Sequence, residues 1–208
     1  MKKLIIPVLC ALMLAGCSSA TSSQTSEPAQ NNNTAAAETG DLLSGKHHAE
    51  IKIKDYGTIE LELDADEAPI TVTNFVDLAN AGFYNGLTFH RIIDGFMIQG
   101  GDPTGTGRGG SENTITGEFA QNGIQNNISH KDGVISMARA QDPDSASSQF
   151  FITVADSEFL DGSYAAFGYV TKGLDVAKQI AKDAKPTDNN GTIPPEDQPV
   201  IEYIKILD

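Results

Sequence analysis

The feature that most narrows what this chain can fold into is a strict two-residue alternation that begins at His48. Ala49, Ile51 and Ile53 alternate with Glu50, Lys52 and Lys54, and Ile59, Leu61 and Leu63 alternate with Glu60 and Glu62. Successive side chains of a strand point to opposite faces, so each run buries one face and wets the other. Tyr56-Gly57 between the runs supplies the turn of a hairpin. Pro69 then opens a helical stretch with Val72, Phe75, Val76 and Ala79 at helical spacing and Gly82 past its end. Strand-like apolar runs recur at 87–93, 96–98, 134–138, 149–154 and 166–170, with Gly-rich and Asn-rich loops between them. A second helix is expected over 173–184, stopped by Pro186, and 199–207 is expected as a closing strand. Many antiparallel-type strands with only two helices mean a β-barrel or sandwich with helical plugs, and the pattern alone goes no further.

The N-terminal segment has a different character. Lys2 and Lys3 precede an apolar run, Leu4 to Leu14, that is short for a mature membrane span. Leu14-Ala15-Gly16-Cys17 resembles the bacterial lipobox, in which the Cys thiol receives a diacylglyceryl group after cleavage. The expectation is a signal peptide over 1–16 and lipidation at Cys17. Cys10 would leave with the signal, so no intramolecular disulfide is expected. Residues 18–45 are almost wholly Ser, Thr, Ala, Gln, Asn, Glu and Gly without an aromatic residue. Such a composition cannot bury enough surface to offset ordering entropy, and a flexible tether over 17–45 is expected. The folded domain is then 46–208, held extracytoplasmically by its lipid. The anchor would sit at the outer face of the plasma membrane, or in an outer membrane if the organism has one.

Three segments place unusual residues on otherwise regular strands. They are Phe89-His90-Arg91-Ile92-Ile93-Asp94-Gly95-Phe96-Met97-Ile98-Gln99-Gly100-Gly101-Asp102; Gly133-Val134-Ile135-Ser136-Met137-Ala138, reaching Ser148-Gln149-Phe150-Phe151-Ile152; and Phe159-Leu160-Asp161-Gly162, running to Ala166-Phe167-Gly168. At these residues the sequence closely resembles the cyclophilin family, in order and nearly in spacing, from about residue 48 to 207. The resemblance implies a mainly β fold, a closed eight-stranded antiparallel barrel capped by two α-helices. It also implies isomerisation of the peptide bond preceding proline, with proline-containing polypeptides as partners and no cofactor.

That chemistry needs no covalent step. An X-Pro bond rotates over a barrier of about 18–20 kcal/mol, and a catalyst must favour the twisted amide over the planar one. In the twisted state the prolyl nitrogen regains its lone pair, and a fixed donor aimed at it supplies the difference. A guanidinium, always charged and rigid, suits that task. The resemblance puts Arg91 at the family's catalytic arginine, with Phe96 and Gln99 beside it. It places Phe96, Met97, Phe151 and Leu160 in the proline pocket, and Gln99 and Gln149 where they bond the substrate backbone and brace Arg91. Ala138, Arg139 and Ala140 would form the rim along which an extended peptide lies, with Gly107 opposite. Phe159 and Tyr164 stand where many relatives carry Trp and His, and Arg139 replaces a common Asn.

Other readings fall away on chemistry. A formal net charge of −14 does not fit nucleic acid, which needs clustered cations. Gly105-Thr106-Gly107-Arg108-Gly109-Gly110 lacks the Lys-Ser/Thr ending and the following helix of a phosphate loop. His47-His48 has no further ligands for a metal, and Asp142-Pro143-Asp144 reads as a turn. His90 is expected as a structural residue under its strand. The rivals are a surface-tethered holding chaperone or adhesin using the same groove, and a solute-binding lipoprotein, whose α/β alternation is absent. Nothing marks a partner face, and a monomer is expected. The missing Trp has a consequence for cyclosporin, whose binding is associated with it. Inhibition should be weaker than for Trp-bearing relatives assayed in parallel, while turnover persists. Equally tight inhibition would refute this.

Overall fold

The computed structural model describes residues 41–208. The expected signal peptide, Cys17 and all but the last residues of the expected tether lie outside the described residues. Eight strands and two helices make up the fold: β1 (Lys46–Ile53), β2 (Gly57–Asp64), α1 (Pro69–Asn80), β3 (Thr88–Ile93), β4 (Met97–Asp102), β5 (Val134–Met137), β6 (Phe150–Thr153), β7 (Ala166–Lys172), α2 (Leu174–Asp183) and β8 (Ile201–Ile206). β1 and β2 form the expected hairpin, with Ile51 opposite Ile59 and Ala49 opposite Leu61. All four side chains are buried, as the alternation requires. Leu43 N donates to Thr73 Oγ1 (2.9 Å), so described residues just ahead of β1 already rest on α1.

All strand pairs are antiparallel, in one curled sheet of order β3-β4-β6-β5-β7-β2-β1-β8. The expectation of a closed barrel is corrected here: the sheet is an open half-barrel. Its end strands β3 and β8 share no ladder. They approach only around the start of β8, at a single bridge between Thr88 and Val200. Phe89 N donates to Pro199 O (2.9 Å), and Ile201 N donates to Leu87 O (2.8 Å). In this antiparallel register β8 runs opposite residues 82–87 ahead of β3, while β3 itself takes Thr192 opposite Arg91.

The two helices lay their apolar faces on the sheet. α1 contributes Val72, Phe75, Val76 and Ala79, and α2 contributes Ala177, Ile180 and Ala181. Phe75 meets Tyr84 and Phe167 with ring centroids 5.2 Å away and Phe150 edge-on at 5.6 Å. Such aromatic contacts add about 0.5–1.5 kcal/mol each beyond the area they bury.

The start of α1 is satisfied from a distance. Its N-cap, Ala68, has no side chain that could accept a hydrogen bond. Instead buried Glu118, from the long β4–β5 connection, accepts from Ile70 N (3.0 Å), Thr71 N (2.8 Å) and Thr71 Oγ1 (2.6 Å). A carboxylate there meets both the unpaired N–H groups and the positive end of the helix dipole. Glu118→Ala should lower the unfolding free energy by about 1.5–3 kcal/mol, the range for hydrogen bonds to a charged group, measured by denaturant titration. An unchanged midpoint would refute the assignment.

Candidate active site

The site is built on the β3–β4 hairpin. Asp94-Gly95 makes its turn, and Gly95 sits at φ 73°, a left-handed conformation that glycine adopts without penalty. The β3–β4 ladder is irregular between Thr88 and Phe89 and again between Phe89 and Arg91. These bulges reset the alternation: Phe89 and His90 are both buried, while Arg91 comes round to face Gln99 across the ladder. Gln99 pairs in turn with Phe151 of β6, and Phe151 with Ser136 of β5. Four strands therefore bring Arg91, Gln99, Phe151 and Ser136 into one row. β4 then ends against the segment leading into β6 so closely that a Cβ on Gly101 (φ 85°) would lie 2.5 Å from Ser148 O.

Arg91 is held by neutral acceptors. Its Nε donates to Asn190 O (2.8 Å) and an Nη to Gln99 Oε1 (3.1 Å). Gln99 Nε2 donates to Gln149 Oε1 (2.9 Å), and Gln149 Nε2 to Gly109 O (2.7 Å). Gln99 thus braces Arg91 directly, and Gln149 braces it through Gln99. Burial lowers the Arg91 guanidinium below its ordinary value, which still leaves it charged at any physiological pH.

Beside Arg91 opens a pocket of about 430 Å³, lined by Phe96, Met97, Gln99, Ala138, Arg139, Phe151, Phe159, Leu160 and Tyr164. Met97, Phe151 and Leu160 are buried and form a hydrophobic cluster separate from the main core. Phe159 is 74% exposed, with its ring 5.4 Å from that of Phe96, so it forms an open lip. Tyr164 packs edge-on against Phe151 at 5.8 Å, and its hydroxyl makes no hydrogen bond to another described residue. A second cavity of about 480 Å³ shares Gln99, Ala138 and Arg139 with the first. Gly107, Ala140 and Gln149 line this one alone. Every residue expected in the domain's site therefore lies on one groove with two pockets. Arg139 differs from its expected rim position in one respect, because its guanidinium is committed. It is sandwiched 4.9 Å from the rings of Phe119 and Tyr164 and donates to Ser163 O and Ala140 O.

Several residues that shape the site escaped the sequence reading. Asp188 accepts from Asn190 N, Thr192 N and Thr192 Oγ1, folding the loop that presents Asn190 O to Arg91. Buried Asp102 accepts from Thr104 N (2.7 Å), Thr106 N (3.1 Å) and Gly107 N (2.6 Å), which fixes the glycine-rich wall of the second cavity. Burial raises its carboxyl, but the N–H groups of Thr104, Gly109 and Gly107 and the Thr104 hydroxyl outweigh that and hold it below the usual range. His130, fully buried, stacks on Phe151 from behind at 6.0 Å. Its Nδ1 lies 2.8 Å from Asp161 Oδ1 and its Nε2 3.0 Å from Ser136 Oγ. An ionised Asp161 only accepts, so Nδ1–H donates to it and the Ser136 hydroxyl donates to Nε2. The Asx turns at Asp188-Asn189-Asn190 and Asp102-Pro103-Thr104 were the signals among these visible locally.

The comparisons with known proteins agree with this geometry. The family model for "Cyclophilin type peptidyl-prolyl cis-trans isomerase/CLD" matches residues 48–207. The chain is 49% identical to peptidyl-prolyl cis-trans isomerase A of Dickeya dadantii over 131 residues, 61% of this chain and 67% of the relative. It is 47% identical to peptidyl-prolyl cis-trans isomerase-like 1 of Neurospora crassa over 152 residues, 73% of this chain and 86% of the relative. Among solved structures, a cyclophilin type isomerase of Cryptosporidium parvum superposes with TM-score 0.69 at 31% identity, covering 79% of this chain and 99% of its own. A second structure of that protein, in the presence of the dipeptide Ala-Pro, gives TM-score 0.68.

The buried histidines set a pH dependence. Burial lowers both His90 and His130 below the ordinary 6.5, and for His130 it outweighs the opposing pull of Asp161. The unfolded chain therefore takes up protons that the folded chain resists, and stability falls as pH drops through 6.5 towards the folded values. The denaturation midpoint should be lower at about pH 5.5 than at about pH 7.5, and His130→Gln should flatten part of that slope. A slope identical in the variant would rule His130 out as a source.

Proposed function

Because the chain belongs to the family of cyclophilin-type peptidyl-prolyl cis-trans isomerases, we propose that it accelerates rotation about X-Pro bonds in exported or surface polypeptides, with Arg91 as its catalytic group. Uncatalysed exchange of such a bond takes tens to hundreds of seconds, slow enough to limit folding. The observation that carries this reading is the half-buried guanidinium of Arg91, set without an ion pair to any described residue at the mouth of an apolar pocket. The proline ring enters between Phe96, Met97, Phe151 and Leu160, while Gln99 and the rim at Ala138 hold the flanking backbone. With the ring gripped, the preceding carbonyl turns, the amide twists, and the prolyl nitrogen becomes a pyramidal acceptor. Arg91 donates to that nitrogen in the twisted state and finds no acceptor there in the planar one, so its interaction lowers the barrier. Phe159 and Tyr164 close the outer side of the pocket around the peptide.

The cellular setting follows from the N-terminal sequence. Lys2, Lys3, the run Leu4 to Leu14 and Cys17 support export and lipidation, with the tether spacing the domain from the membrane. Two or more acyl chains anchor far more firmly than one, so the acidic domain needs no electrostatic help at the bilayer.

In a turnover assay on a neutral Ala-Pro test peptide, Arg91→Ala should lose about 10²–10³ in kcat/KM, the usual cost of removing one transition-state donor, with an unchanged unfolding midpoint. A folded wild-type chain without turnover would overturn the enzyme reading and favour a peptide holder. Cys17→Ser should move the protein from the membrane to the soluble extracytoplasmic fraction; retention in the membrane would overturn the anchor.

A further inference from the structure

The chain contains three arginines, Arg91, Arg108 and Arg139, and all three line the two joined cavities of the groove. Its Asp and Glu residues number 28, yet none of the described ones lines either cavity. Among the described residues no arginine lies within ion-pair distance of a carboxylate, whereas Lys46, Lys131, Lys172 and Lys178 are each paired. Asp188 acts on Arg91 through its charge, but its oxygens are taken up by Asn190, Thr192 and Gly191 in its own turn. Arg91 and Arg139 spend donors on neutral oxygens, which orient a guanidinium without cancelling its charge. Among the described residues Arg108 spends none: only its backbone N–H bonds, to Thr106 Oγ1, and its side chain is exposed at the second cavity.

We propose that the groove selects X-Pro segments carrying a carboxylate next to the proline unit, with the Asp or Glu side chain in the second cavity and Arg108 as the specificity-determining residue. The inference rests on the isomerase reading of the apolar pocket and adds a substrate class to it. The body of the molecule, at a net charge of −14, opposes an acidic ligand. Distance decides between the two effects. At physiological ionic strength the screening length is about 8 Å, so carboxylates across the molecule are largely silenced while a cation in contact is not. The polar wall offers the rest of the recognition, since Ser111, Ser145 and Ser147 line the same cavity.

The test uses the full-length chain and peptides that differ only in Glu, Gln or Lys at one position, placed in turn at the two positions on either side of the proline. Both kcat/KM and Kd are read, at physiological salt, against an all-Ala reference peptide. At one position at least, Glu should be favoured over Gln by about two- to fivefold, the range of an exposed ion pair, and over Lys by more. Arg108→Gln should bring the Glu-to-Gln ratio close to one, while Lys205→Gln should leave it as it was. Equal values for all three side chains at every position, with the reference peptide still turned over, would overturn the acidic preference and leave the isomerase reading standing. A Glu preference that survives in Arg108→Gln would overturn the role of Arg108. Failure to turn over the reference peptide would count against the isomerase reading alone, because the Kd series still decides the charge preference.

Discussion

The pairing of β4 with β3 on one side and β6 on the other is the constraint on which the site depends. Side chains alternate along a strand, so a one-residue slip in either ladder would turn Gln99 away from Arg91 or from Phe151. The bulge at His90 adds a second requirement, since regular pairing continued from Phe89 opposite Gly100 would have set His90, not Arg91, opposite Gln99. The same pairing joins polar and apolar chemistry. One row runs from the guanidinium through an amide to the aromatic floor, and His130 supports that floor from behind.

The treatment of charge follows a consistent logic. A carboxylate beside Arg91 would hold the guanidinium in place and also neutralise it, and a half-buried pair would return little stability for its desolvation. Carbonyl and amide oxygens hold it without neutralising it. Carboxylates do their work one step back, where they accept backbone N–H groups. Asp102 shapes the glycine-rich wall, Asp188 the loop carrying Asn190, and Glu118 the start of α1. The acidic composition thereby builds the frame of a groove that is itself cationic.

The open sheet is a matter of register. Seven ladders form, but the Thr88–Val200 bridge sets β8 opposite residues 82–87 ahead of β3, and β3 itself takes Thr192 opposite Arg91. The residues leading into β8 still reach β3, through Phe89, Leu87 and Ile201, so the two sheet ends stay adjacent without a ladder.

Local pattern carried much of this protein. Two-residue alternation placed the β1–β2 hairpin, Pro69 and Gly82 bracketed α1, and the apolar runs fell on β3 to β8 within a residue or two, except for the C-terminal end of β4. That end was missed because Gly100, Gly101 and Asp102 have no strand-like side chains. The groove residues were readable from the ordered segments around Arg91, Gln149 and Leu160, whose chemistry is rare on plain strands. The partners that orient those residues were not. Glu118 lies 47 residues from Thr71, and Asn190 lies 99 from Arg91. No periodicity records such pairings. Secondary structure is set by neighbours along the chain, which the sequence by itself determined. The bracing of a charge, the seat of a helix end and the halt of a ladder depend on groups that meet only after the chain has folded, and the tertiary structure alone decided them.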